Sequence, residues 1–137
     1  MKASDHLGIH VPFLDFLGVQ VAKNERGNVE VVLDLRPELM NNHGATHGGV
    51  IMTLLDVCMA IAARTSVDNK SSVMTVDMSL TFLRPAPGRV VAEGKVLRGG
   101  RSLFFCEGEA RDENDELVAK SLGTFKLRRI MKEGEGN

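Results

Sequence analysis

The sequence predicts an α+β domain in which a long, central apolar helix is wrapped by an antiparallel sheet. Residues 50–63 form a helix-length apolar run that holds a single carboxylate, Asp56. Strand patterns flank this run without alternating with further long helices, which argues against a parallel βαβ arrangement. With 137 residues, the chain fits one domain spanning 1–137.

The elements on either side of the central helix follow from turn residues and from alternation of apolar and polar side chains. Residues 10–18 predict a short helix with Pro12 in its first turn and Gly18 at its end. Alternation over 19–23 and 29–35 predicts a hairpin. The strands predicted after the helix cover residues 73–83, 89–98, 102–112 and 117–127. We expect a core of about 14–127 and a disordered tail at 132–137.

Composition limits the classes of partner. The formal net charge is −1, so the chain lacks the basic footprint of a nucleic-acid-binding or anionic-membrane protein. The longest uncharged run is too short and too interrupted to span a bilayer. No secretory signal begins the sequence, so we expect a cytoplasmic protein whose Cys58 and Cys106 are buried, reduced thiols.

The helix itself predicts oligomerisation. Its residues are apolar on nearly every side, which is typical of a helix buried all round. One curved sheet covers only one side of such a helix. We therefore expect a second copy of the chain to cover the rest.

The loop before the helix carries most of the polar groups that are candidates for catalysis or binding. Gly48 and Gly49 place unhindered N–H groups at the positive end of the helix dipole, where they bind an anion or simply make a tight turn. Asp56 follows Gly48 by eight residues, which predicts a deeper position on roughly the same side. It is either a base or nucleophile, or a buried acid that caps another segment. His47 and Asn41 are candidates for the site or for stabilising the loop.

Taken together, an amide donor, a deep carboxylate, an Asn and a His meet the requirements of acyl transfer or hydrolysis. No Ser or Cys is paired with a His as a nucleophile. His43 and His47 are four residues apart, but no further ligand supports a metal site, so none is expected.

The motifs resemble those of a known family. The pattern Asn41-x-x-Gly44-x-x-His47-Gly48-Gly49, the helical Thr-Leu-Leu-Asp at 53–56 and the strand segment at 75–85 follow in order. They resemble the hotdog-fold acyl-CoA thioesterases of the phenylacetate-degradation type, within the 4-hydroxybenzoyl-CoA thioesterase-like superfamily. The similarity extends over about residues 14–127.

This resemblance implies a hotdog fold with a five- to six-stranded sheet, a homotetramer built as a dimer of dimers, and active sites at the dimer interface. It also implies that the Gly48 amide polarises the thioester carbonyl and that Asp56 of the other subunit is nucleophile or general base. Asn41 would orient water or thioester, His47 would support the loop or the carbonyl, and Thr75 would lie near the reacting water. No metal or redox cofactor is implied.

Binding of coenzyme A needs cations or exposed amides for its phosphates. The candidates for substrate and coenzyme A binding are Gly49, Arg84, Gly100, Arg101 and Ser102. Candidates for an acyl pocket are Phe13, Phe16, Leu39, Met40 and Met52. The sequence leaves the acyl group, aryl or aliphatic, undetermined.

Two other functions stay open at this stage. One is an acyl-thioester hydratase or dehydratase on the same fold, which usually pairs a His with an acid for proton abstraction at carbon. The other is a non-catalytic acyl-CoA binding module, which the intact set of polar residues disfavours.

Overall fold

Six antiparallel strands form one curved sheet in the computed structural model, which describes residues 1–8, 10–68 and 70–128. The predicted disordered tail, 132–137, lies outside the described residues. The helices are α1 (Ala3–Leu7), α2 (Pro12–Leu17) and α3 (Gly48–Val67), with a 3₁₀ turn at Pro37–Leu39. The strands are β1 (Gln20–Glu25), β2 (Asn28–Leu33), β3 (Ser72–Phe82), β4 (Val90–Gly99), β5 (Leu103–Arg111) and β6 (Leu117–Arg128).

The sheet order is β1-β2-β4-β5-β6-β3, and every neighbouring pair is antiparallel. One face of this sheet packs along α3, which contributes eleven buried apolar residues to the core. Gly94 of β4 makes the close approach possible, because a Cβ there would lie 2.5 Å from the carbonyl carbon of Cys58. The predicted fold class, α+β with a hotdog arrangement, is confirmed.

The predicted short helix is confirmed as α2, and Gly18 ends it in a left-handed conformation with φ of 79°. A second short helix, α1, was not predicted. Its position depends on tertiary contacts that leave no periodic pattern: the Ala3 N–H donates to the Val19 carbonyl, and Arg64 of α3 donates to the His6 carbonyl.

Helix α3 is longer than the apolar run that predicted it. Over Gly48–Val67 it reaches the length and apolar composition of a bilayer-spanning helix. The expectation that the apolar run is too short and too interrupted to span a bilayer was therefore wrong as to length and composition. Most of the helix is buried against the sheet, and a buried core helix passes the same test. Cys58 and Cys106 are both free and buried, as predicted.

Strand β3 is an exposed edge. It pairs with β6 on one side only, and its other edge has no strand beside it among the described residues. Its apolar side chains are nevertheless exposed: Met74 by 65% and Val76 by 56%. A long, apolar, unpaired edge strand is a template for pairing with another chain.

Candidate active site

Asp56 lies in the third turn of α3, facing the first half of β3. Its Oδ1 accepts a 2.6 Å hydrogen bond from Thr75 Oγ1. Burial raises the pKa of this carboxyl group above its usual value, while the Thr75 hydrogen bond lowers it by a smaller amount. The resemblance implied only that Thr75 lies near the reacting water, and that role stays a prediction.

A cavity of about 380 Å³ opens beside Asp56. Val57 and Ala60 of α3, Val73 of β3 and residues of the N-terminal segment give it mostly apolar walls. Within the described part of the chain, Asp56 is the only ionisable residue that lines it. We call this space the acid cavity.

The start of α3 presents one free amide. The Gly49 N–H donates to His47 Nδ1 at 2.8 Å, and the N–H groups of Val50 and Ile51 donate to the His47 carbonyl. Among the described residues no acceptor bonds the Gly48 N–H, which stands at the positive end of a 20-residue helix. His47 is thus the N-cap of α3, and its Nδ1 must be unprotonated to accept the bond.

These contacts change two of the predicted roles. Gly49 was predicted to bind substrate, but its N–H is already engaged by His47. Asn41 stabilises the loop: its Oδ1 accepts from the N–H groups of His43 and Ala45 at 2.8 and 3.1 Å. Its side-chain oxygen therefore supports the turn, as an Asx motif does.

A second cavity, of about 340 Å³, opens beside Gly48. Asn41, Phe82 and Arg84 line it. The Phe82 ring packs so close to Gly48 that a Cβ on the glycine would lie 3.2 Å from Phe82 Cζ. We call this space the amide cavity.

Within one chain, the two cavities are separate. Eight helical residues at about 1.5 Å each put Gly48 and Asp56 roughly 12 Å apart along α3. Residues eight positions apart also point in directions that differ by about 80° around the helix axis. The prediction that both lie on the same side was therefore wrong, and Asp56 does not reach the Gly48 amide of its own chain.

The predicted coenzyme A ligands also divide between the two ends of the sheet. Arg84 borders the amide cavity and forms an ion pair with Glu116. The turn Gly100-Arg101-Ser102 connects β4 and β5 at the opposite end of the sheet. Phe104, just after this turn, lies in one row across the strands with Phe125 and Thr75, and Thr75 contacts Asp56. Arg101 is thus at the Asp56 end, and Arg84 at the Gly48 end.

Of the candidates for an acyl pocket, only Phe13 lines the acid cavity. Leu39 is buried in the core. Phe16, Met40 and Met52 are exposed and line neither cavity. Sequence reasoning missed Ala60, although it lies four residues after Asp56 and so on the same helix face.

In the described part of the chain, no three His, Cys, Asp or Glu side chains lie together as they would around a metal ion. The expectations that the protein needs no metal and no cofactor stay predictions.

The fold and the order of loop, helix and edge strand define a class, the hotdog-fold thioesterases, and comparison with known proteins agrees. The sequence pattern of the thioesterase superfamily matches residues 43–119. A protein of Saccharolobus solfataricus that carries a provisional esterase name is 34% identical over 115 residues, covering 83% of this chain and 81% of that protein. The chain belongs to the thioesterase superfamily, whose members hydrolyse thioesters.

Other relatives are more distant. The medium/long-chain acyl-CoA thioesterase YigI of Salmonella typhimurium is 25% identical over 132 residues, covering 85% of each protein. A thioesterase family protein from Silicibacter pomeroyi superposes with a TM-score of 0.85 at 26% identity, covering 94% of this chain and 97% of that one. The conserved protein PA5202 of Pseudomonas aeruginosa gives 0.84 at 29% identity, covering 90% and 98%.

Proposed function

We propose that the protein hydrolyses acyl-CoA thioesters at sites that two copies of the chain share. The observation that carries this proposal is that the free amide and the half-buried carboxylate of one chain line different cavities, Gly48 the amide cavity and Asp56 the acid cavity. Ideal helix geometry puts the two residues roughly 12 Å apart. Hydrolysis needs both groups within about 3 Å of the reacting atoms. A second copy of the chain supplies the missing half of each site.

The edge strand supports this arrangement. Thr75 in the first half of β3 contacts Asp56, and Phe82 at its last residue packs on Gly48. If two β3 strands pair antiparallel across a twofold axis, the first half of one lies beside the end of the other. Asp56 then comes next to Gly48 of the partner subunit. The same pairing covers the exposed Met74 and Val76.

The chemistry follows from the two groups. The free Gly48 N–H, at the positive end of α3, donates to the thioester carbonyl oxygen and stabilises the oxyanion that develops there. The ionised Asp56 either attacks the carbonyl carbon or takes a proton from the attacking water. The carbon–sulfur bond breaks, and coenzyme A leaves as a thiolate that takes up a proton. If Asp56 is the nucleophile, water then hydrolyses the acyl–Asp56 anhydride and frees the carboxylate; if Asp56 is the base, the water oxygen bonds directly to the acyl carbon. Both routes release the free acid. Asn41 and His47 hold the amide in place, and Thr75 orients Asp56.

Coenzyme A binding fits the same arrangement. In a shared site, Arg84 of one chain and the basic turn Gly100-Arg101-Ser102 of the other both lie near the reacting centre. Their charges suit the phosphates of the substrate. The acyl-CoA thioesterase activity named for YigI supports the choice of substrate class.

We extend the proposal to a dimer of dimers. The outer face of the sheet exposes apolar side chains where a soluble sheet would carry polar ones: Leu103, Phe105 and Leu122. Phe105 and Leu122 lie on neighbouring strands, two register positions apart and so on the same face of the sheet. A second dimer packed on this face would cover them. A cytoplasmic location, without metal or nucleic-acid partner, completes the proposed setting.

A hydratase or dehydratase on the same fold is the alternative function. Such an enzyme usually pairs a His with an acid for proton abstraction at carbon. Here His47 Nδ1 accepts the Gly49 N–H and caps α3, while the deep position of the helix carries Asp56, which favours hydrolysis.

The test is release of free thiol from a panel of acyl-CoAs by the purified protein, with Asp56→Asn as the comparison. We expect release from at least one acyl-CoA and a loss of about a hundredfold or more in Asp56→Asn, as for removal of a base or nucleophile. Full activity of the variant would disprove the role of Asp56. Hydration of an enoyl-CoA without thiol release would support the hydratase instead.

A further inference from the structure

We propose that the N-terminal segment α1–α2 forms one wall of the acyl subsite, and that Phe13 and Ala60 set which acyl groups the enzyme accepts. The substrate class is a neutral, apolar acyl group of intermediate size, such as a medium straight chain or a single aryl ring. This inference rests on the proposed function and adds the specificity of its acyl half.

The residues that line the acid cavity disfavour acyl groups that carry a charge. Its three hydroxyl groups are already committed: Thr53 Oγ1 donates to the Gly49 carbonyl, and Thr75 Oγ1 donates to Asp56. Ser72 Oγ donates to the Arg128 carbonyl. No Lys, Arg or His lines it within the described residues. A second carboxylate, as in a succinyl group, would enter next to Asp56 with no cation to pair with, which is unfavourable. The cavity therefore selects for apolar groups.

The size of the cavity disfavours both very short and very long acyl groups. About 380 Å³ lies at the low end of the range for sites that enclose a small organic ligand. An acetyl group would leave most of the apolar wall without contact. A long chain would leave its end outside the cavity and gain no contact from it.

The wall itself comes from outside the part of the chain that matches the superfamily. Leu7, Val11, Phe13 and Leu14 line the cavity from the N-terminal segment. The superfamily match covers residues 43–119, which include Gly48, Asp56 and Thr75. The reacting groups and the wall thus belong to different parts of the sequence, and the wall can change without changing the chemistry.

Ala60 lines the cavity from α3. It lies one turn beyond Asp56, about 6 Å farther along α3, on the face that lines the cavity. Its small side chain leaves room there, so the depth available to an acyl group depends on this position.

Helix α2 offers a matched pair of variants. Phe13 and Phe16 are both phenylalanines of the same helix and both are exposed, by 54% and 62%, but only Phe13 lines the cavity. Phe13→Ala should lower kcat/KM for octanoyl- or phenylacetyl-CoA by about tenfold, since an apolar contact of this kind is worth about that much. Phe16→Ala should leave the ranking of substrates unchanged.

The experiment measures kcat/KM for acetyl-, hexanoyl-, octanoyl-, phenylacetyl-, palmitoyl- and succinyl-CoA in the wild type, Phe13→Ala, Phe16→Ala and Ala60→Val. We expect the wild type to prefer acyl groups of intermediate size and to reject succinyl-CoA. Ala60→Val should shift the preference toward shorter chains. Circular dichroism and thermal melting of each variant establish that it is folded.

The outcomes separate this inference from the proposed function. If no acyl-CoA releases thiol in the wild type, the proposed function fails. If the wild type hydrolyses acyl-CoAs but Phe13→Ala and Phe16→Ala have the same substrate ranking, and Ala60→Val does not shift it, only the inference about the wall is overturned. Preferred hydrolysis of succinyl-CoA would overturn it as well.

Discussion

Asp56 combines two opposing influences that matter for its reactivity. Its surroundings in α3 and the acid cavity are mostly apolar, and this burial favours the neutral form and raises its pKa. The Thr75 hydrogen bond favours the ionised form and offsets part of that rise. The Thr75 hydroxyl thus favours the ionised state, in which the proposed mechanism uses this carboxylate.

This balance predicts the effect of Thr75→Val on the pH profile. Valine keeps the shape of threonine but cannot donate, so the pKa of Asp56 should rise further. Because the ionised form is the active one, activity falls as pH drops through this pKa. The acidic limb of kcat/KM against pH should therefore move to higher pH in Thr75→Val.

Thr53→Val is the matched control for that measurement. Thr53 lines the same cavity, but its hydroxyl donates to the Gly49 carbonyl and not to Asp56. Its acidic limb should stay where the wild type has it. An unchanged limb in Thr75→Val, or an equal shift in both variants, would contradict the role given to the Thr75 hydrogen bond.

Single residues also show where sequence reasoning succeeds. The acid within the helix was visible as an Asp in an apolar run, whereas Thr75 was named only through the family resemblance. For Asn41 the sequence left a loop role and a site role open, and its side-chain oxygen has the loop role. The bond that engages the Gly49 N–H was not predicted, because it depends on the folded loop. Which amide stays free at a helix start depends on which side chain caps it, and here His47 takes the N–H of Gly49 and leaves that of Gly48.

At the scale of elements, the start of α3 makes a direct test possible. His47 has φ of −58° and ψ of 138°, a conformation that suits the residue before a proline. The first helical position tolerates proline, whose nitrogen carries no hydrogen. Gly48→Pro should therefore keep the helix but delete the amide that donates to the carbonyl.

We expect Gly48→Pro to reduce kcat by about 10²–10³, the usual effect of removing one oxyanion donor. Gly48→Ala is the matched control, because its Cβ meets the same Phe82 ring but its N–H remains. Thermal melting shows whether both variants fold alike. Equal activity of the two variants would mean that the Gly48 amide takes no part in catalysis.

The elements themselves were largely predicted by periodicity and turn residues. The four strands after α3 begin and end within about two residues of their predicted bounds, since Pro, Gly and Asn-Asp turns punctuate them. Helix α1 was missed because five residues are too few to show a period. The fit of β4 onto α3 through Gly94 is a tertiary contact, which no local pattern reveals.

At the scale of the whole molecule, the proposed mechanism divides each active site between two chains. The oligomer was predicted from the apolar helix, and the structure adds a more specific reason, the unpaired edge of β3 with its exposed Met74 and Val76. The distance between Gly48 and Asp56 could have been read from their spacing along the helix. The division into two cavities could not, because it depends on where α2, Phe82 and the sheet edge lie.

The central claim, a site shared between subunits, is tested most directly by subunit complementation. Asp56→Asn chains and Gly48→Pro chains are each expected to be nearly inactive alone. After the two are refolded together in equal amounts, random twofold pairing places an intact Gly48 beside an intact Asp56 in roughly a quarter of the sites. As a control, Asp56→Asn is mixed with a chain that carries both substitutions, which restores no site. The account predicts recovery of about a quarter of wild-type activity in the first mixture and none in the second. A mixture no more active than its separate components would contradict it, because each site would then lie within one chain.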